Sequence, residues 1–165
     1  MAAPDMDISI VNQQKALKIR PKLIEKLAEL VLDGEKKDTE VSLKFVSDKQ
    51  IAKFNEKYLH HSGPTDVLAF PMREGNFSQL HRELLGDVVI STERAIAQAQ
   101  MHKKGVAEEL CLYVVHGLLH LLGYDDIAPA NRRRMKKKTG CLDEGRRHVL
   151  REGFLLARGI DQTIK

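Results

Sequence analysis

In the stretch Val115-His116-Gly117-Leu118-Leu119-His120-Leu121-Leu122-Gly123-Tyr124-Asp125-Asp126, two imidazoles stand four residues apart in an otherwise apolar segment. On a helix, positions i and i+4 lie one above the other on the same face, so both rings point into one small volume. Alone the spacing is a weak signal, because core histidines are often simply hydrogen-bonded. The residues that follow sharpen it. Gly123 stands where a helix needs a left-handed residue to end, and such an end folds the next residues back toward the preceding turn. A helix, a glycine break and a third donor is the layout by which H-E-x-x-H-x-x-G-x-x-H metalloproteases complete a zinc site. Here the third position, six residues after His120, is Asp126. Two neutral imidazoles and one carboxylate leave a coordination position open, as catalytic zinc requires. Asp125 is the alternative donor; otherwise it orients the turn or a histidine N–H. The same donor set holds iron in oxygenases, but no other feature of the chain points there.

Gly117 occupies the position where those proteases carry the glutamate that activates water. The peptidase reading therefore loses its base. With no catalytic side chain identified, the expected nucleophile is water activated by the metal. A phosphodiester, its charge held by the ion and by basic groups, suits such a site better than an amide.

The elements that must position these residues follow from local signals. Asp7 to Asn12 reads as a strand. Pro21 opens a helix with Leu23, Ile24, Leu27, Leu30 and Val31 as its apolar stripe, ending near Gly34. Thr39 to Val46 is a second strand. Ser47 with Gln50 forms a capping box for a helix carrying Ile51, Phe54, Asn55 and Tyr58. A loop at His60 to Pro64 leads to a strand at Asp66 to Phe70, closed by Pro71, and a polar connection from Arg73 to Arg82 follows. Gly86 to Ser91 is an apolar run expected of a strand covered on both faces, with Asp87 read as a turn residue. From Thr92 the chain is helical: Ala95, Ile96, Ala99 and Met101 form one stripe, Gly105 interrupts, and Val106, Leu110, Val114, Leu118 and Leu121 mark the buried side of a central helix. Pro129 starts a basic helix broken by Gly140, and Val149, Leu150 and Phe154 to Leu156 are expected to pack near the end. The predicted fold is α+β: one small, mostly mixed β-sheet of about four strands packed by about five helices, with the metal site on the central helix and its following turn.

At 165 residues, with 42% hydrophobic and 30% charged side chains, the chain is expected to form a single domain over 1–165, with 1–6 flexible. Two cysteines, Cys111 and Cys141, are no secreted disulfide framework, and the acidic start Met1 to Asp7 resembles no signal peptide; a cytoplasmic protein with no membrane partner is expected. Lysine and arginine exceed acids by a net charge of +4, which suits polyanionic partners. The run Arg132-Arg133-Arg134-Met135-Lys136-Lys137-Lys138 could contact phosphates or be a solvated helix face, the commoner use of such runs. Tyr113 and Tyr124 could stack on unpaired bases, with core packing the better reading for Tyr113.

Three ordered blocks carry a family resemblance. HGLLHLLGYDD is similar to H-G-x-L-H-L-x-G-Y-D-H; Pro64-Thr65-Asp66-Val67-Leu68-Ala69-Phe70-Pro71 to P-T-D-V-L-S-F-P; and Leu85-Gly86-Asp87-Val88-Val89-Ile90-Ser91 to L-G-D-I-x-I-S, with Asn55 through Tyr58 before them. This pattern resembles the YbeY family of bacterial rRNA maturation factors. The resemblance implies a single-strand-specific, metal-dependent endoribonuclease acting in rRNA processing, including maturation of the 16S rRNA 3′ end, and in ribosome biogenesis. It implies one zinc per chain held by His116 and His120, with Asp126 in place of the family's third histidine, and rRNA, ribosomal particles or ribosomal proteins as partners. A carboxylate there makes the ion less positive and favours harder divalent ions. Thr65 and Asp66 resemble part of the family's substrate groove, or else serve as turn and strand cap. The family's arginine after the tyrosine of the Asn55 block is here Leu59, so its role does not transfer; His60, His61 or Arg73 could supply a charge nearby. The rival readings are a ribosome assembly factor with a structural metal and little or no catalysis, and a metal-dependent hydrolase of another substrate.

Replacing Asp126 with histidine should change both metal affinity, read by competition with a chromogenic chelator, and cleavage rate. A variant matching its parent in both would place Asp126 outside the coordination sphere.

Overall fold

The computed structural model describes residues 6–33, 39–72, 84–124 and 128–141. Four strands form one mixed sheet: β1 (Asp7–Asn12), β2 (Glu40–Val46), β3 (Val67–Pro71) and β4 (Leu84–Ser91), in the order β1-β2-β4-β3. β1 and β2 are parallel, as are β2 and β4, whereas β3 runs antiparallel to β4 at the sheet edge. Among the described residues five helices accompany them: α1 (Pro21–Val31), α2 (Asp48–Leu59), α3 (Thr92–His102), α4 (Val106–Leu121) and α5 (Pro129–Cys141).

Side-chain alternation along the strands divides the apolar residues between the two faces. Val41, Leu43 and Phe45 of β2, with Val88 and Ile90 of β4, join residues of α1 and α4 and Ala95 of α3 in the main core. Val46, Leu68 and Val89 point the other way and meet Ile51 of α2 in a second, smaller cluster flanked by Phe54 and Phe70. β4 is thus covered on both faces at its C-terminal half, as its unbroken apolar run requires. Each fully buried large side chain, Phe45 or Leu118 for example, contributes roughly 1.5–3 kcal/mol.

Local signals set several boundaries. Pro21 occupies the first turn of α1, where its missing N–H costs nothing. Ser47 Oγ accepts from the Gln50 N–H at 3.2 Å while Gln50 Oε1 accepts from the Ser47 N–H at 3.0 Å, closing the capping box that starts α2. Four expectations need correction. Asp87 lies inside β4, opposite Phe70, because the strand begins at Leu84. α5 runs through Gly140 to Cys141 rather than breaking there. Leu30 and Met101 are exposed, and Ala28 is buried in α1 instead. α1 ends at Val31 with Leu32 as its C-cap, while Gly34, the connection at 73–83 and the packing expected at Val149, Leu150 and Phe154 to Leu156 fall outside the described residues.

Two glycines bring α4 down onto the sheet. A Cβ on Gly117 would overlap Val88 Cγ1 and sit 3.1 Å from Val67 Cγ2. A Cβ on Gly86 would overlap the Phe70 carbonyl oxygen and lie 2.9 Å from Leu121 Cδ2; its φ of 147° is also one that other residues rarely adopt. The β2–β4 register shifts next to this glycine, so that Glu40 pairs with Leu84 but Val41 with Gly86. The extra residue, Leu85, makes a bulge, a usual companion of glycine in a strand.

Gly117→Val should cost about 1–3 kcal/mol by overpacking the helix–sheet contact, read as a lower urea midpoint with an unchanged slope. Ser47→Ala should cost about 1 kcal/mol through its lost cap. An unchanged midpoint for Gly117→Val would mean that α4 can lift without penalty.

Candidate metal centre on helix α4

Helix α4 is apolar on nearly every side, with Leu110, Val114, Leu118, Leu119 and Leu121 all buried. One stripe breaks the pattern. Positions 109, 113, 116 and 120 follow the i, i+4, i+7, i+11 spacing that keeps side chains on one face, and they carry Glu109, Tyr113, His116 and His120.

His116 and His120 are both half-buried, their rings 4.6 Å apart between centroids and inclined at 74°. Their Nε2 atoms face each other at 3.0 Å. That separation fits one neutral ring donating to the other, and it also fits two lone pairs directed at one cation. At about 2.0–2.1 Å per zinc–nitrogen bond and a tetrahedral angle, the nitrogens sit about 3.3 Å apart. A shift of a few tenths of an ångström separates the two arrangements, so the pair fits a small divalent ion.

The turn after α4 takes the form its sequence suggests. Gly123 is left-handed at φ 95°, its N–H donates to the His120 carbonyl at 3.0 Å, and the Tyr124 N–H donates to the Leu119 carbonyl at 3.0 Å. These two bonds make a Schellman end, which turns the chain back immediately before Asp125. Asp125 and Asp126 themselves lie outside the described residues, and among those described no third His, Cys, Asp or Glu completes a cluster with the histidine pair. Beside this turn a cavity of about 230 Å³ is lined by Leu122, Gly123, Tyr124, Asn131 and Arg134. The sequence signalled Tyr124 and the basic run separately; their sharing of one cavity depends on how α5 returns past α4.

Asp66 precedes β3, its carbonyl accepting from the Ser91 N–H at 2.9 Å. Its exposed side chain lies within electrostatic reach of Tyr113, so the substrate-groove candidate does approach the polar stripe of α4. Thr65 is half-buried next to it. Tyr113 is a core residue whose buried hydroxyl makes no hydrogen bond of ordinary geometry among the described residues, although the Glu109 carboxylate lies close enough to interact with it. Burial pushes that hydroxyl well above the usual tyrosine range, the Asp66 and Glu109 carboxylates push it further, and Arg94 opposes them. Glu109, also buried, has His102 Nδ1 at 3.7 Å. Leu59, His60 and His61 are all exposed at the end of α2, and Arg73 lies outside the described residues. Arg132, Arg133, Arg134, Lys136 and Lys137 of α5 are exposed around a buried Met135, the pattern of a solvated helix face with one apolar anchor.

The family model for endoribonuclease YbeY matches residues 9–143, a span that includes both histidines and the turn after them. The chain belongs to the endoribonuclease YbeY family. It is 40% identical to the endoribonuclease YbeY of Syntrophotalea carbinolica over 92% of this chain and 94% of that one. The endoribonuclease YbeY of Clostridioides difficile is 35% identical, over 81% and 92% of the two chains. A Thermotoga maritima protein solved in solution superposes with a TM-score of 0.61 at 28% identity, covering 88% of this chain and 90% of that one. Membership of the YbeY family supports a nuclease of the hydrolase class.

The Tyr113 hydroxyl gives a stability prediction. Its proton is held more tightly in the folded state than in the unfolded one, so its stabilising effect is complete below the unfolded value of about 10 and is lost as pH rises above it. Tyr113→Phe should match or exceed the parent in stability at neutral pH and lose less of it above about pH 10. A loss beyond about 1 kcal/mol at neutral pH would reveal a partner for the hydroxyl.

Proposed function

We propose that this protein is a cytoplasmic, metal-dependent endoribonuclease that cuts single-stranded rRNA during ribosome maturation, including the 3′ end of 16S rRNA. His116, His120 and Asp126 would hold one zinc or a harder divalent ion. The observation that carries the reading is the approach of the His116 and His120 Nε2 atoms to 3.0 Å on one helix face. Membership of an endoribonuclease family supports the reaction class. No helix among the described residues is long and apolar enough to cross a membrane.

A bound divalent ion supplies Lewis acidity for a phosphoryl oxygen and acidifies a water molecule. The chain's own residues do the rest. The two imidazoles must be neutral at Nε2 to act as donors, and their half-buried setting excludes much competing solvent. The Schellman turn reverses the chain at Gly123 and Tyr124, immediately before the carboxylates proposed as the third donor. Asp66 lies within electrostatic reach of the polar stripe on the β3 side, with Thr65 before it in the chain, where a substrate strand would pass. The exposed basic face of α5 attracts the phosphate backbone, a contribution that falls with salt.

One observation favours a second reading, a ribosome assembly factor whose metal is structural. Leu59, where the family has an arginine, is 44% exposed at the end of α2 and offers no charge to a phosphate.

Purified protein should contain about one divalent ion per chain and cut unstructured RNA while sparing duplex, and His116→Ala should abolish both properties. Full metal content with no cleavage under any divalent ion would favour the assembly-factor reading.

A further inference from the structure

On the sheet face opposite α4, three aromatic rings meet at the edge strand. Tyr58 stacks on Phe54 with centroids 6.1 Å apart and planes inclined at 19°, and meets Phe70 of β3 in an edge-to-face pair at 5.4 Å and 68°. Phe54 and Phe70 are half-buried and close the small cluster beneath α2, yet Tyr58 remains 52% exposed. A ring needed only for packing would be covered by its own core. Cations flank the group: Lys57 Nζ lies 5.1 Å from the Tyr58 centroid and Lys44 Nζ 5.5 Å from that of Phe54. Glu56, two helical steps of 100° from Tyr58, projects from the other side of α2, whereas Asp87, the register partner of Phe70, shares its sheet face and sets one carboxylate against the two lysines.

An exposed ring, held from behind by two others and bordered by lysines, is the combination that captures an unpaired base and its phosphates. From it we infer that Tyr58, with Lys57 and Lys44, forms a stacking platform for single-stranded RNA, separate from the histidine pair. In a duplex the base faces are already stacked on one another, so the platform selects for single strands. Lys57 lies over the ring face as the base would, and its flexible stem lets it swing aside to a phosphate. The position of the platform also relates it to the candidate site. Val67 of β3 borders Gly117 on the helix that carries the histidines, and Phe70, about 10 Å further along the same strand, supports Tyr58 on the opposite face. A strand crossing the β3 edge could therefore reach both. This inference deepens the proposed ribonuclease reading and rests on it for the choice of RNA as ligand.

The test separates binding from cutting. In a His116→Ala background with chelator present, fluorescence anisotropy should show binding of a labelled, unstructured 12-nucleotide RNA. Adding Tyr58→Ala should weaken it about tenfold, Tyr58→Phe should leave it within about twofold because the π-face survives, and duplex affinity should not move. Lys57→Ala should lower the slope of log affinity against log salt by about 0.7. In the unmodified sequence, an RNA carrying 5-iodouridine should photocrosslink to the peptide containing Tyr58, a readout that does not depend on any variant folding. Unchanged single-strand affinity in Tyr58→Ala, equal losses in Tyr58→Ala and Tyr58→Phe, or crosslinks confined to other peptides would overturn the platform. Failure of the ribonuclease reading looks different: Tyr58-dependent binding would persist while the intact protein cuts no RNA with any divalent ion.

Discussion

The contact between α4 and the strands β3 and β4 sets the position of everything else. It is closer than side chains normally allow, because the helix presents Gly117 to Val67 and Val88 while the sheet presents Gly86 to Leu121. With one face of α4 pressed to the sheet and other sides covered by α1 and α3, beyond the exposed Glu108 of its first turn the polar side chains of the helix fall on the stripe from Glu109 to His120. The histidines are held there by a helix whose rotation is fixed by packing. A pair of imidazoles on such an element loses little freedom on closing around an ion, which is what preorganisation means for a metal site.

This packing also explains the glycine after the first histidine. As sequence, Gly117 signals only the loss of a general base. In the structure the same position is where the helix meets the sheet, so a glutamate there would have no room and no solvent. The departure from protease chemistry and the close packing are thus one fact. On the proposed reading, a site with glycine at this position would take its nucleophile from water on a bound ion, and would suit a substrate whose charge can be met by cations.

Much of this was legible because it is local. Pro21, the Ser47–Gln50 box and the Gly123 end each depend on residues within one turn, and the i, i+4 histidines share a helix whose apolar pattern is unambiguous. What was not legible depends on distant partners. Asp87 read as a turn residue because Gly86 precedes it, but that glycine serves a close approach to Phe70 and a bulge against β2. Gly140 read as a helix break, whereas a single helical glycine costs only about 1 kcal/mol and can be carried by its neighbours. Met101 and Leu30 fit apolar stripes but are exposed, with no facing element among the described residues. The strand order β1-β2-β4-β3, and with it the edge position of β3, arises from pairing across the whole chain. The aromatic platform was hidden for the same reason, since Phe70 reaches Tyr58 only through that order.

The central claim is that His116 and His120 share one cation through Nε2. Anomalous diffraction at the zinc absorption edge, from crystals of protein loaded with one equivalent of zinc, tests it most directly. The account predicts a single strong peak about 2.0–2.1 Å from both Nε2 atoms, with an Asp126 oxygen beside it. Two rings hydrogen-bonded to each other with no peak between them, while zinc sits elsewhere on the molecule, would contradict it.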